Sequence, residues 1–330
     1  MYSVIIPAYN AGHTIAACLK SLSHQSIPAA DYEVIVVDDG SNDNTAELSR
    51  KFNIKYMFQP NQGPATARNK GAAEAAGEII LFTDADCVPE FNWIQEITKP
   101  FENRDIAGVK GAYKTRQQKL AARFAQAEFE DRYDLLKKQS AIDMVDTYSA
   151  AFRKDVFLEM GGFDESFPDA NNEDVDLSYR LTAAGYKLVF NPQAFVYHTH
   201  PDTFLKYLKI KFWRGYWRMI VYRRFPHKAV KDSYTPAVIK IQTIAMAFSF
   251  PLLILSLFIS KIIPMVLFCW GIIILSSLPF CLKTYEKDKI VGLISPGIVL
   301  IRSVVFAFGC LLAIAALVSS GNRRIRTFFI

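Results

Sequence analysis

Cysteine is scarce in this chain and follows no pattern. Cys18, Cys87, Cys269, Cys281 and Cys310 are its five cysteines, and no two form a Cys-x-x-Cys pair. That excludes a disulfide framework and a cysteine zinc site, and it fits a reducing compartment. Gly-x-Gly-x-x-Gly after a strand is missing, as is Gly-x4-Gly-Lys-Ser/Thr, so the dinucleotide and P-loop readings lose their main support. Residues 2–7 are too short, and lack the basic start, for a signal peptide. The N-terminal domain is therefore expected to stay in the cytosol. Charge becomes sparse from residue 238 onward, which favours membrane helices there over buried core helices.

The 330 residues are 51% hydrophobic, and that apolarity is concentrated late. Residues 238–260, 262–282 and 291–319 are apolar runs, each near the roughly 20 residues that cross a bilayer. Arg302 and Pro296-Gly297 interrupt the third, so its crossing segment is taken as 298–319. Three crossings from a cytosolic domain would leave Asn322–Arg326 outside, against the positive-inside tendency. Just ahead, residues 203–235 interleave basic side chains (Lys206, Lys211, Arg214, Arg218, Arg224) with Trp213, Tyr216 and Trp217. Beside membrane runs, this mixture indicates an interfacial helix on anionic lipid rather than a nucleic-acid surface. The expected organisation is a catalytic domain over 1–202, the interfacial helix over 203–235 and a membrane region over 236–330.

Strand and helix signals alternate through the first hundred residues. Strands are expected at 3–6, 33–37, 54–58 and 78–82, with helices at 14–22, 42–52 and 65–76 between them. Pro64 suits a helix's first turn, where its missing N–H has no partner to lose. The pattern predicts an α/β fold with a parallel sheet covered on both faces. Residues 117–139 have helical spacing and are expected to cover the sheet; short strands are expected at 148–153, 187–190 and 194–197. Ligands of such sheets bind at the carboxyl ends of the strands. Four polar clusters fall there: Pro7–Asn10, Asp38–Ser41, Asn61–Gly63 and Asp84–Asp86.

Asp84-Ala85-Asp86 follows the apolar run Ile79-Ile-Leu-Phe82. Two carboxylates one residue apart at a strand end can share a hard cation such as Mg²⁺ or Mn²⁺, which bridges protein oxygens to substrate phosphates. Glu173 and Asp174 open a helix within a wider acidic cluster of Asp164, Glu165, Asp169 and Asp176. One ionised carboxylate there can act as general base on a hydroxyl. His198-Thr-His200 follows another strand, and a neutral imidazole from this pair is a candidate third metal ligand.

The chain resembles a family 2 glycosyltransferase of the GT-A fold. The resemblance rests on Val4-Ile-Ile-Pro-Ala-Tyr-Asn10, Val36-Val-Asp-Asp-Gly-Ser-Asn-Asp43, Gly63-Pro-Ala-Thr-Ala-Arg-Asn69, Thr83-Asp-Ala-Asp86, Gly161-Gly-Phe-Asp-Glu165, Glu173-Asp-Val-Asp-Leu177 and His198-Thr-His200, in the family's order over about residues 1–225. It implies a nucleotide-sugar donor whose base and ribose are held by Pro7, Tyr9, Asn10 and Asp39, with Arg68 flanking the donor and Asp84 facing the ribose or sugar. It implies Asp86 and His198 on a Mg²⁺ or Mn²⁺ ion, with His200 the other candidate, and Asp174 as base with Glu173 its neighbour. The acidic pair leans towards a hydroxyl acceptor, such as a lipid-linked glycan. Reaction with inversion at a multi-pass membrane protein's cytosolic face is the expected activity. The alternatives are a non-catalytic sugar-nucleotide-binding subunit and a polyprenyl-phosphate glycosyltransferase. Gln-x-x-Arg-Trp is absent, unlike processive cellulose- or chitin-type synthases.

Overall fold

A computed structural model describes residues 1–167 and 172–319. Asp169 and the basic segment 322–326 lie outside the described residues. The N-terminal half runs β1 (Tyr2–Ala8), α1 (Ile15–Leu22), β2 (Tyr32–Asp38), α2 (Thr45–Ser49), β3 (Lys55–Phe58), α3 (Pro64–Ala73), β4 (Ile79–Phe82), β5 (Val88–Pro89), α4 (Trp93–Thr98) and β6 (Ile106–Lys114). It continues through α5 (Leu120–Leu136), β7 (Ala150–Arg153), α6 (Lys154–Glu159), α7 (Glu173–Ala183) and β8 (Lys187–Tyr197). Helices α8 (Phe204–Arg224), α9 (Pro226–Val230), α10 (Ala237–Ser256), α11 (Ile263–Lys287) and α12 (Lys289–Ser319) follow. The chain divides into two compact units: 1–116 with 133–199, and 117–132 with 200–330.

The first unit is an α/β domain on one sheet of order β3-β2-β1-β4-β7-β6-β8-β5. Val4, Ile5 and Ile6 of β1 and Ile35, Val36 and Val37 of β2 are fully buried, as expected of β-branched residues in a strand covered on both faces. Strands β3, β2, β1 and β4 are parallel, as the alternating pattern predicts. Beyond β4 the sheet is mixed, because β7 pairs antiparallel with both β4 and β6. The order reverses at β1, between β2 and β4, where an open sheet leaves a crevice at its carboxyl edge. The expected strands at 187–190 and 194–197 are one strand, β8, carried through a register shift against β6. Strand β6 gave little signal: Gly108, Lys110 and Gly111 interrupt its apolar residues, yet it is buried almost throughout.

The second unit is helical. Residues 120–132 of α5 belong to it, and 133–136 belong to the first unit. Phe124 packs into a core with Tyr207, Met246, Ile273 and Val299. Pro296 sits inside α12 and does not end it; the helix is continuous over Lys289–Ser319. Lys211 and Arg218, on the basic arc of α8, are buried within this unit, because α8 packs along α12 and Gly215 meets the backbone of Phe306. Three helical segments are long and apolar enough to cross a membrane: Ala237–Ser256, Ser260–Lys287 and Lys289–Ser319. Their outward side chains are apolar, with Phe248, Phe258, Phe268 and Leu275 all exposed, a surface too continuous for water.

Candidate active site

The crevice is built first from backbone hydrogen bonds. Asn10, just past β1, has a left-handed backbone (φ 49). Its N–H donates to Ser41 Oγ at 2.9 Å, and Asn42 N–H donates to its Oδ1 at 2.9 Å. These bonds tie the loop after β1 to the loop after β2. Asp39 is buried, and its carboxylate accepts from Gln59 Nε2 at 2.7 Å and from the N–H groups of Gln62 and Gly63, both at 2.9 Å. Asp39 thus holds the loop that launches α3. Gly40 is required there: its φ is +83, and a Cβ would stand 2.8 Å from Asn61 N. Pro7 lies half-buried near the end of β1, and Tyr9 is 53% exposed, so an aromatic face stands open at the crevice.

A buried ion triad closes the centre. Arg68 on α3 is 1% exposed. Its Nη2 donates to Asp84 Oδ1 and its Nη1 to Glu173 Oε1, each at 2.9 Å. One guanidinium therefore joins the end of β4 to the start of α7, across 105 residues of sequence. Burial works against the Arg68 charge, but Asp84 and Glu173 outweigh it and hold its pKa above the ordinary value. Burial, then the adjacent Asp174, push the Glu173 carboxyl up to about 7 despite Arg68. Glu173 is 2% exposed, whereas Asp174 is only half-buried. The start of α7 is further fixed by Asp176, which pairs with Arg180 at 2.8 Å; Arg180 also donates to the Gly162 carbonyl at 2.7 Å. Asn69, next to Arg68, grips the same loop from the other side, exchanging bonds of 2.8 and 2.9 Å with the Phe163 backbone.

Asp86 faces His198. Their nearest atoms, Oδ1 and Nδ1, are 3.6 Å apart, and the Asp86 side chain is 40% exposed. Burial raises the Asp86 carboxyl, and His198 more than reverses this, leaving it below the usual carboxylate range. Cys87 Sγ lies 3.7 Å from both atoms. Burial, reinforced by Asp86 and Asp84, keeps that thiol protonated, so it is a poor donor to a hard cation. The Asp86 carboxylate and the His198 imidazole, 3.6 Å apart at their nearest atoms, are the oxygen and nitrogen donors that would hold a divalent cation here.

Residues that sequence reasoning missed hold His198 in place. Its ring lies 4.5 Å from that of Tyr148 and 5.9 Å from that of Tyr113, and its backbone N–H donates to the Lys114 carbonyl at 2.9 Å. The Tyr113 hydroxyl donates to Asp146, which also pairs with the fully buried Lys110. A lysine inside an apolar strand was the available signal for this network. His200, the other histidine candidate, is committed within the helical unit. Its Nε2 meets Gln126 Oε1 at 2.9 Å and its ring stacks on Phe129 at 5.5 Å. Asp84 and Glu173 thus meet through Arg68, Asp86 meets His198, and Asn10 and Asp39 order the neighbouring loops.

This sheet order, with carboxylates at the switch of strand order and an acidic helix start, is that of a Rossmann-like GT-A fold. Residues 3–161 match glycosyl transferase family 2, and the chain carries a glycosyltransferase family 2 domain of the GT-A fold. It is 31% identical over 197 residues to glycosyltransferase AglE of Haloferax volcanii, covering 57% of this chain and 63% of that protein. It is 30% identical over 236 residues to the probable glycosyltransferase YdaM of Bacillus subtilis, covering 66% of this chain and 52% of that protein. The chain therefore spans between half and two thirds of the length of these relatives. Among solved structures, the mannosyltransferase PcManGT from Pyrobaculum calidifontis, in complex with GDP-Man and Mn²⁺, shares the fold with a TM-score of 0.62 at 19% identity, covering 96% of this chain and 87% of that one.

Proposed function

We propose that this protein is an inverting glycosyltransferase that moves a sugar from a nucleotide-diphosphate donor to a hydroxyl of a saccharide acceptor, with a lipid-linked glycan the acceptor class. The observation that carries this reading is the Arg68 bridge, which brings Asp84 and the Glu173-Asp174 helix start to one place. The exposed face of Tyr9 suits stacking on the donor's base, with Pro7 beside it and Asn10 and Asp39 shaping the pocket for base and ribose. Asp84, fixed by Arg68, turns its remaining oxygen to the ribose or sugar. Asp86 and His198 hold a divalent cation, Mg²⁺ or Mn²⁺, whose charge offsets that of the leaving diphosphate. The GDP-Man and Mn²⁺ of the fold neighbour support that donor class and cation.

Asp174 is the base. It is half-buried, whereas Glu173 is buried and accepts from Arg68. Asp174 takes the proton of the acceptor hydroxyl as its oxygen attacks opposite the diphosphate, which inverts the anomeric centre. Glu173 and Arg68 hold the helix that presents it. The domain works at the cytosolic face of a membrane that the three apolar helices cross in a multi-pass arrangement; five free cysteines fit that reducing side. Residues 1–202 form the catalytic domain and 203–235 the segment that meets the membrane lipids.

The test is a donor screen on the purified chain, measuring hydrolysis of nucleotide sugars with Mg²⁺ or Mn²⁺. Asp174→Asn is expected to cut transfer by about 10²–10⁴ while binding the donor normally, and Asp86→Ala to lose cation-dependent donor binding. Unchanged transfer by Asp174→Asn removes the base assignment. Donor binding with no turnover of any nucleotide sugar would favour a non-catalytic subunit instead.

A further inference from the structure

The sugar-transfer reading leaves one donor atom at the end of β4 unused. Cys87 is fully buried directly after Asp86, and its N–H donates to the Asp84 carbonyl at 3.0 Å. That turn brings its sulfur to the two candidate cation ligands. Cys87 Sγ stands 3.7 Å from Asp86 Oδ1 and 3.7 Å from His198 Nδ1, and those two atoms are 3.6 Å apart. Carboxylate oxygen, imidazole nitrogen and thiol sulfur thus form a nearly equilateral triangle. Among the described residues, Asp86, Cys87 and His198 are the acidic, cysteine and histidine side chains close enough to share one ion. Asp84, the other acid of the turn, is drawn away by Arg68, which donates to its Oδ1 at 2.9 Å. Cys18, a second buried thiol, is turned to the Asp84 carbonyl at 3.7 Å.

Mg²⁺ is a hard cation that takes oxygen ligands, so it gains nothing from the sulfur. Oxygen, nitrogen and sulfur together are the ligand types of Zn²⁺, whose open sites use three protein ligands and keep a fourth position free. Among these ions, a thiolate selects Zn²⁺. The imidazole is braced for a ligand's role by the rings of Tyr148 and Tyr113, and the Asp86 side chain, 40% exposed, opens the triangle to solvent. We propose that Asp86, Cys87 and His198 form a three-ligand Zn²⁺ site, and that Zn²⁺ bound there displaces the Mg²⁺ or Mn²⁺ of the donor complex. Binding breaks the S–H bond of Cys87, forms a sulfur–zinc bond and releases the proton to water. The displacement rests on the cation assignment of the proposed function; the Zn²⁺ site itself does not.

The test uses the full chain in detergent, freed of metal by a chelator. Co²⁺ serves as the spectroscopic substitute for Zn²⁺. Wild type loaded with Co²⁺ is expected to show a thiolate-to-cobalt charge-transfer band in the near ultraviolet, which Cys87→Ser lacks and Cys18→Ala keeps. Zn²⁺ affinity, read by calorimetry, is expected to fall in Cys87→Ser by at least what loss of an outer-shell partner costs, about 10–100-fold, with less proton release. Zn²⁺ added to wild type loaded with Mn²⁺ is expected to restore the paramagnetic resonance signal of free Mn²⁺, and Cys87→Ser to require correspondingly more Zn²⁺. Wild type without the cobalt band overturns the sulfur ligand whether or not the variant folds. A band that persists in Cys87→Ser, or that Cys18→Ala abolishes in its place, does the same. Normal Mn²⁺ binding with equal Zn²⁺ affinity in wild type and Cys87→Ser overturns the three-ligand site and leaves the Asp86–His198 cation assignment standing. Wild type that binds neither ion overturns both.

Discussion

Arg68 joins the end of β4 to the start of α7 through two carboxylates. It is surrounded by two carboxylates and shielded from solvent, so its removal strands Asp84 and Glu173 without a counter-charge. Breaking a buried pair in this way costs about 3–5 kcal/mol. Arg68→Met is expected to lower stability by that order in thermal or denaturant unfolding; a change within about 0.5 kcal/mol would mean that water already reaches the triad. Glu173 gives a second prediction. Its folded pKa, about 7, lies above the ordinary glutamate value of 4.5. The folded state therefore keeps a proton that the unfolded chain releases. The Glu173 contribution is fully present below 4.5 and is lost as pH rises to about 7. Glu173→Gln is expected to flatten the stability–pH curve over that window, as read by melting temperature at closely spaced pH values. An unaltered slope would assign the proton elsewhere.

At the scale of elements, the site is an assembly of strand ends and one helix start. β1, β2 and β4 supply the loops, α3 sends Arg68 and Asn69 inward, and α7 begins where those side chains reach it. β8 delivers His198, and the segment before β7 delivers Tyr148 against it. Outer-shell partners of a ligating histidine typically affect metal affinity about 10–100-fold. On the proposed Asp86–His198 cation site, Tyr148→Ala is expected to weaken Mn²⁺ binding about tenfold, measured by electron paramagnetic resonance of the free ion, with the fold intact by circular dichroism. Undiminished affinity would show that the strand alone aims the imidazole. Most motifs of this site were legible because they sit at strand ends, and the Glu173-Asp174 pair because it opens a helix. The Tyr113–Asp146–Lys110 network was not, since its members lie on β6 and the loop before β7 and meet only in the folded sheet.

At the scale of the whole molecule, the helical unit has its own polar order. Arg123, Glu130 and Asp131 of α5 pair with Asp288, Lys287 and Lys283, at the junction of α11 and α12. That junction therefore lies on the α5 side of the bundle, and the turn at Lys261 lies at the far end of the 25-residue α11. Crossing by α11 predicts that Lys261→Cys and Lys287→Cys differ: an impermeant maleimide added to intact cells labels one of them and reaches the other only after permeabilisation. Labelling of both without permeabilisation would place α11 along the surface rather than through it.

The sequence by itself determined the α/β class, the parallel order of the first strands, the apolar lengths of the C-terminal helices and the identities of the chemical groups. Each is written in local pattern: alternation, apolar run length, or polar residues at a strand end. Only the tertiary structure decided which groups meet. Arg68 and Glu173 are 105 residues apart, and no periodicity foretells that one guanidinium joins them. The same holds for Arg302, which breaks an apolar run in the sequence and is accommodated in the fold because Glu128 reaches it from a helix 174 residues earlier. A buried charge is tolerated only where a partner stands, and that partner is chosen by packing.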